Sequence, residues 1–529
     1  MKKSLILPLL IILSGCNENT SSLIESSSTE SNSDTLISSS TESSSSSSVV
    51  SSDRNAIHDL KDFELELEEK EDGSAYLISK YKGTKYNNIR LPESYNNKPI
   101  VGIKRQAMIS ASFENIYIPD CYTEFNQSAF FGCTVIKNYF LNETHSLYKS
   151  IDGVLYTKDG DGMYLYPSGR RDTYKVLEGT KRIESSAFMF TNVVNVELPE
   201  SIEEIGESAF NSAKRLKTIN IPSKVEVIKE STFDTCGSLK TIEFNEGLEK
   251  IEYRAFWQCQ KLQNIKFPSS LKEIGESAFE GLSGEENLVL SEGLVKIGDY
   301  AFAYNEYIQT ITFPSTLKEI GKYAFMQNYT LKELYLAEGL EKLDEGAFFY
   351  NNQLQRVHIP STLKEIGFDC FASSDSVLSE FIVSENSETF KNQDGIIYTK
   401  DGKQIVSCPS RLDFENNTYS IPEGVEVIGD HAFYNCSDLK KVILPSTLKT
   451  IGKAPFYVCN LTSIEYTSTI ENFNKIQTTV WEYNTGMYDE SDNLVIIEIY
   501  WYMLNYEGGR AISTIKCSDG DLNLLETNK

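Results

Sequence analysis

Residues 313–325 read Phe-Pro-Ser-Thr-Leu-Lys-Glu-Ile-Gly-Lys-Tyr-Ala-Phe, and this phrase is restated along the chain at a fixed interval. Aligned on its last phenylalanine it recurs at Phe210, Phe233, Phe256, Phe279, Phe302, Phe325, Phe348 and Phe371, every step being 23 residues. Met108, Phe130 and Phe188 before this block, and Phe433 and Phe456 after it, occupy the same slot and bring the number of copies to thirteen. A unit this short cannot bury its own apolar edge, so the copies must stack into a solenoid.

The phrase is followed by Leu331-x-x-Leu334-x-Leu336, and a period of 23 residues with this spacing is that of leucine-rich repeats. From residue 63 onward the chain resembles the BspA-type leucine-rich repeat surface proteins. The resemblance implies a mainly β solenoid of about thirteen coils of 22–23 residues with parallel strands, two inserts containing β-hairpins, and end caps. It implies a surface protein that binds another macromolecule. The ligands of the family vary widely, so the fold is named more firmly than the partner.

The expected organisation follows from the ends inward. Residues 1–15 pair a Lys2-Lys3 n-region with an apolar stretch from Leu5 to Leu13 that is too short to span a bilayer, the pattern of a signal peptide. The stretch ends in Leu13-Ser14-Gly15-Cys16, which resembles a bacterial lipobox with Cys16 as the lipidated residue. Its other reading is an ordinary signal peptide with an incidental cysteine. Residues 16–55 are dominated by Ser, Thr, Glu and Asn, offer little apolar surface, and are expected to form a disordered tether. Residues 56–92 form an N-terminal cap, 93–466 the solenoid, and 467–529 a C-terminal cap in which 494–504 supply a closing strand.

Two inserts, 140–180 and 382–422, break the 23-residue beat and copy each other. Asp152-Gly-Val-Leu-Tyr-Thr-Lys-Asp-Gly160 matches Asp394-Gly-Ile-Ile-Tyr-Thr-Lys-Asp-Gly402, and Tyr166-Pro-Ser matches Cys408-Pro-Ser. Asp-Gly between apolar runs is a hairpin signal, so each insert should continue the solenoid wall. Asp159-Gly160-Asp161-Gly162 invites a calcium reading, but the second copy has Lys403 and Gln404 in that place, and neither a metal nor a cofactor is expected.

The formal net charge is −26, and cleavage after Gly15 takes the mature chain to −28. Nucleic acid is an unsuitable partner for such a surface, since phosphate binding needs clustered Lys and Arg. Within the array, Lys250, Glu273, Lys296, Glu319, Lys342 and Glu365 share one slot in successive coils. Stacking makes them a row of alternating sign in which each exposed pair contributes only ~0.2–1 kcal/mol, but a slip of one coil sets like charges together.

Among the ten cysteines, Cys133, Cys236, Cys259, Cys436 and Cys459 fall three residues past the key Phe, where other coils carry Asn305, Asn328 and Asn351. A ladder of free, buried thiols is one reading. Disulfides Cys236–Cys259 or Cys436–Cys459, one coil apart, are the other.

Four histidines, His58, His145, His358 and His431, stand in no catalytic motif, and no enzyme is expected. Two surfaces are candidates for binding. One is the strand face implied by the family architecture, which includes Tyr335, Arg356 and His358. The other is the turn side just past the key Phe, where Trp257, Tyr304, Phe349 and Tyr350, with Tyr300, Tyr307, Tyr323, Tyr329, Tyr434 and Tyr457, exceed what the repeat requires. Aromatics favour protein and sugar contacts, although packing between neighbouring turns would also employ them. The expected function is that of a lipid-anchored adhesin contacting a protein or glycan on a host or neighbouring cell, or else a polysaccharide-capturing or structural scaffold on the outer side of a bacterial membrane.

Overall fold

The computed structural model describes residues 57–61, 64–83, 86–109, 111–125, 127–373, 376–478 and 514–523. The expected signal peptide, Cys16, the tether and the closing strand at 494–504 lie outside these residues.

Each repeat is one rung of a parallel β-solenoid with three sides. On the first, three-residue strands with a single inward apolar residue form a ladder, as in Thr173–Lys175, Asn195–Glu197, Thr218–Asn220 and Thr241–Glu243. On the second, two-residue strands stack in a run from Val227–Ile228 to Glu365–Ile366. Here Lys250, Glu273, Lys296, Glu319, Lys342 and Glu365 are neighbours in register, as the alternating row requires. Lys250 lies 3.4 Å from Glu273, and Lys296 lies 3.3 Å from Glu319.

The third side is a turn edge built on the Ala-Phe pair. The residues two before and two after the key Phe are left-handed in nearly every rung, as at Ser208 and Ser212, Ser231 and Thr235, or Tyr300 and Tyr304. Alternating hand aims successive N–H groups at the next rung. Tyr300, Phe302 and Tyr304 thus donate to the carbonyls of Lys322, Ala324 and Met326 at 2.7–2.8 Å. The key phenylalanines point inward and stack face to face, with centroids 4.7–6.1 Å apart from Phe188 to Phe371.

Thirteen rungs carry the key slot, and the described residues hold seventeen. The four additional rungs contain Tyr76–Tyr81, Gly162–Leu165, Gln404–Ser407 and Gln477–Thr478, each pairing in parallel with a neighbouring rung. A count based on phenylalanine misses the two insert rungs because the slot has changed. In the first insert Tyr166 occupies it and stacks on Phe188 at 4.9 Å. In the second Cys408 occupies it, its N–H donating to Ala432 as that of Tyr166 donates to Ala187. The smaller side chain interrupts the aromatic spine between Phe371 and Phe433, and the apolar core divides there.

Both inserts are hairpins. Tyr148–Ile151 pairs antiparallel with Val154–Thr157, and Phe390–Gln393 with Ile396–Thr399. Asp152 and Gly153 have φ 48° and 71°, and Asp394 and Gly395 have 54° and 83°, so both central residues of each turn are left-handed, the hairpin type that Asp-Gly favours. Asp159 and Asp401 each accept a threonine hydroxyl and a backbone N–H of their own turn. That is a turn-closing role.

One core slot breaks the pattern. Six residues past the key Phe, the rungs place Leu216, Leu239, Leu262, Ile308, Leu331 and Leu354 in the core, but the rung of Phe279 places Glu285 there, 7% exposed. Its carboxylate accepts the Ile265 N–H at 3.1 Å, and Asn264 turns left-handed with φ 55°. Strand geometry is lost at 264–266, so the first ladder is interrupted between Thr241–Glu243 and Asn287–Val289.

Candidate functional site

The nine described cysteines are free. Cys236 Sγ donates to the carbonyl of Phe210 and Cys259 Sγ to that of Phe233, each at 3.1 Å, while Asn305 and Asn328 make the same bond to Phe279 and Phe302 at 3.0 and 3.1 Å. Thiol and amide therefore play one part, satisfying the turn of the preceding rung. Burial pushes the Cys133 thiol up to about 12, so it stays protonated and unreactive.

The four histidines are dispersed. His58 Nε2 lies 3.1 Å from the Glu64 carboxylate, and His145 Nε2 lies 3.1 Å from the Tyr122 carbonyl. His358 meets Glu333 at 3.0 Å, and His431 meets Asp369 at 2.5 Å across the second insert. Among the described residues no three His, Cys, Asp or Glu side chains are grouped to hold a metal.

Among the turn-side aromatics, Tyr300, Tyr323, Phe349 and Tyr350 form a contiguous cluster over the rungs of Phe302, Phe325 and Phe348. Tyr300 stacks on Tyr323 at 5.2 Å, Tyr323 meets Phe349 edge-on at 5.9 Å, and Phe349 meets Tyr350 at 4.3 Å. Tyr329 hydrogen-bonds Gln327 at 2.8 Å, and Tyr323 donates to Glu345 at 2.7 Å. Tyr304 and Tyr307 stand out at 38% and 51% exposure, while Tyr300, Tyr323, Phe349 and Tyr350 are half-buried against one another and Tyr329 is half-buried beside Gln327.

Four of these tyrosines, 300, 304, 323 and 350, occupy the left-handed positions of the turn edge, with φ 54–58°. The ladder demands that backbone shape but nothing of the side chain, and other rungs use Ser208, Ser231, Ser212 or Gly281 as well as Phe190, Arg254, His431 or Val458. A bulky residue at positive φ is unfavourable. Tyr300 and Tyr323 offset part of that cost by stacking on one another between adjacent rungs, whereas Tyr304 is 38% exposed.

Trp257 lies apart from this cluster. It is half-buried, with the Arg254 guanidinium 4.5 Å over its ring and 5.4 Å from Tyr253. The intervening rung carries Glu280 and Gly281 instead of aromatics. Tyr434 and Tyr457, 5.6 Å apart, follow beyond the second insert.

On the strand face, Tyr335 is 56% exposed and stacks on His358 at 4.0 Å. Arg356 forks onto Glu333 with two bonds of 3.0 Å. These bonds, then those from His358 and Tyr335, hold the Glu333 carboxyl down to about 2. The structure thus brings Tyr335, Arg356 and His358 together on one side and Tyr304, Phe349 and Tyr350 on another.

A family model described as BspA type leucine rich repeat region matches residues 79–152, 172–285, 284–394 and 413–491. No curated protein matches the chain. Among solved structures, a leucine-rich repeat protein from Bacteroides ovatus is 20% identical, with 78% of this chain and 96% of that one covered and a TM-score of 0.46. A leucine rich cell surface protein from Faecalibacterium prausnitzii is also 20% identical, with 80% and 98% covered and a TM-score of 0.38. The family model spans more than half of the 529 residues, and the chain belongs to the BspA-type leucine-rich repeat family.

Proposed function

We propose that this protein is exported, anchored by lipid at Cys16, and uses its solenoid to capture a macromolecule at the surface of a host or neighbouring cell. The contact surface is the turn edge of the rungs from Phe302 to Phe348. The observation that carries this reading is the exposure of Tyr304 and Tyr307 on the edge where Tyr300, Tyr323, Phe349 and Tyr350 form a continuous run of rings. Large, rigid aromatics dominate binding energy at interfaces. The description of the Faecalibacterium relative as a cell surface protein accords with export.

The test displays the full chain on cells and measures attachment to arrays of matrix proteins and of glycans, alongside a Tyr304→Ser/Tyr307→Ser/Phe349→Ser variant. The variant is expected to lose at least tenfold in attachment to whichever array the parent binds. Undiminished attachment removes the turn edge from consideration. A second reading places contact on the strand face, because Tyr335 is exposed and its neighbours are held rigidly by Glu333.

A further inference from the structure

The chemistry around the aromatic edge narrows its partner. Tyr300 lies within the field of Glu276, Glu280, Asp299 and Glu345, which together with burial, the larger cause, raises its phenol above the usual range. Burial and then Glu280 act in the same sense on Tyr304, and burial and then Glu306 on Tyr329. Lys322, on the same stretch, is already paired with Glu345 at 3.1 Å. The cluster is therefore a set of ring faces set among carboxylates, on a chain whose net charge is −26.

Resting on the turn edge as the contact surface, we infer that its partner is a short cationic segment of a protein, rich in arginine or lysine, whose side chains lie over the exposed tyrosine rings. A cation over an aromatic face gains from the ring quadrupole, and neighbouring carboxylates add to the attraction and repel anionic chains. The same edge already holds such an arrangement within the chain. Arg254 occupies the position two before the key Phe, the slot of Tyr300 and Tyr323, and its guanidinium covers Trp257 at 4.5 Å. Three rungs at a spacing of about 4.8 Å span roughly 10–15 Å, the length of three or four extended residues, which suits a segment better than a domain. Arginine should be preferred to lysine, because a planar guanidinium stacks on a ring and an ammonium does not.

The test measures fluorescence anisotropy of labelled octa-arginine, octa-lysine and octa-glutamate peptides, and of labelled chitohexaose as a neutral sugar, with the full chain at physiological salt. Octa-arginine is expected to bind best, octa-lysine more weakly, and octa-glutamate and the sugar not at all. Tyr304→Ser/Tyr307→Ser leaves net charge unchanged and should weaken octa-arginine binding at least tenfold, while Tyr304→Phe/Tyr307→Phe, which keeps the ring faces, should stay within about threefold. Octa-arginine binding that survives the serine pair overturns the inference, since the attraction then comes from overall charge. Sugar binding that depends on the same tyrosines also overturns it, in favour of a glycan. If the serine pair loses array attachment yet keeps octa-arginine binding, the turn edge stands as the contact surface and only the cationic partner falls. If it keeps both, both fall.

Discussion

The carboxylate of Glu292 accepts both the backbone N–H and the hydroxyl of Ser315 in the next rung, each at 3.0 Å. Glu246 with Ser269, Glu338 with Ser361 and Glu423 with Ser446 repeat the arrangement. In the opposite direction the Gly293 N–H donates to Thr316 at 3.0 Å, and Gly293, at φ 109°, sits where a Cβ would strike the Ser269 carbonyl. The Glu-Gly and Pro-Ser rungs are thus complementary halves of a two-rung unit.

Deletions should respect that unit. Removing residues 268–313, two rungs, brings Glu246 to Ser315 and Lys250 to Glu319, and the protein should melt close to the parent. Removing 268–290, one rung, sets Glu246 against Glu292 and Lys250 against Lys296, and should melt at a distinctly lower temperature although it deletes less. Equal melting temperatures would show that the two kinds of rung are interchangeable.

Truncating the spine should act locally. Phe302 is fully buried between Phe279 and Phe325, at 5.3 Å from each, and Phe302→Ala should cost about 3–5 kcal/mol. In a one-dimensional array the loss should fray the rungs around 302 and leave those near Phe188 and Phe433 protected in hydrogen exchange. Uniform loss of protection along the chain would contradict the nearest-neighbour picture.

Glu285 gives a pH dependence with a definite sign. Burial raises its carboxyl above the ordinary value of 4.5, against the opposing N–H bonds of Ile265, Asn264 and Asn287. The folded state therefore holds the proton more tightly than the unfolded chain. Its contribution to stability is greatest below pH 4.5 and is lost as pH rises through the raised value. The stability of the parent relative to Glu285→Gln should fall as pH rises from about 4.5 and then level off, as measured by denaturant titration. Glu285→Leu restores the apolar slot and should stabilise by roughly 1–3 kcal/mol, with new protection at 264–266. Destabilisation by leucine would mean that the carboxylate's N–H bonds outweigh its burial.

Lipidation at Cys16, outside the described residues, has a separate test. Cys16→Ala should move the protein from the detergent phase to the aqueous phase of a Triton X-114 partition. An unchanged distribution contradicts the anchor.

The sequence carried much of this structure because the repeat reports on itself. Phe302 and its equivalents, the Lys250-to-Glu365 row and the Asn305 and Cys236 slot were legible as positions that recur, and recurrence in a solenoid means stacking. What escaped was carried by single departures. Tyr166 and Cys408 stand in the slot without being phenylalanine, so their rungs went uncounted. Glu285 reads as one more surface acid in an acidic chain until the Leu331 slot is aligned with it. The alternation of Glu-Gly and Pro-Ser was visible, but not the Glu292–Ser315 bonds that give it a reason. Trp257 and Tyr304 looked alike by position, yet the aromatic-free rung at Gly281 separates them, and Trp257 is covered by Arg254 while Tyr304 is exposed.

The most direct measurement sets the two candidate faces against each other in one attachment assay on displayed full-length protein. The turn-edge variant Tyr304→Ser/Tyr307→Ser/Phe349→Ser is compared with the strand-face variant Tyr335→Ser/His358→Ser, both checked for an unchanged melting temperature. Attachment should fall at least tenfold in the first and stay within about twofold of the parent in the second, since a few central aromatics carry most of an interface's energy. The reverse order, with the strand-face variant detached and the turn-edge variant intact, would contradict the account.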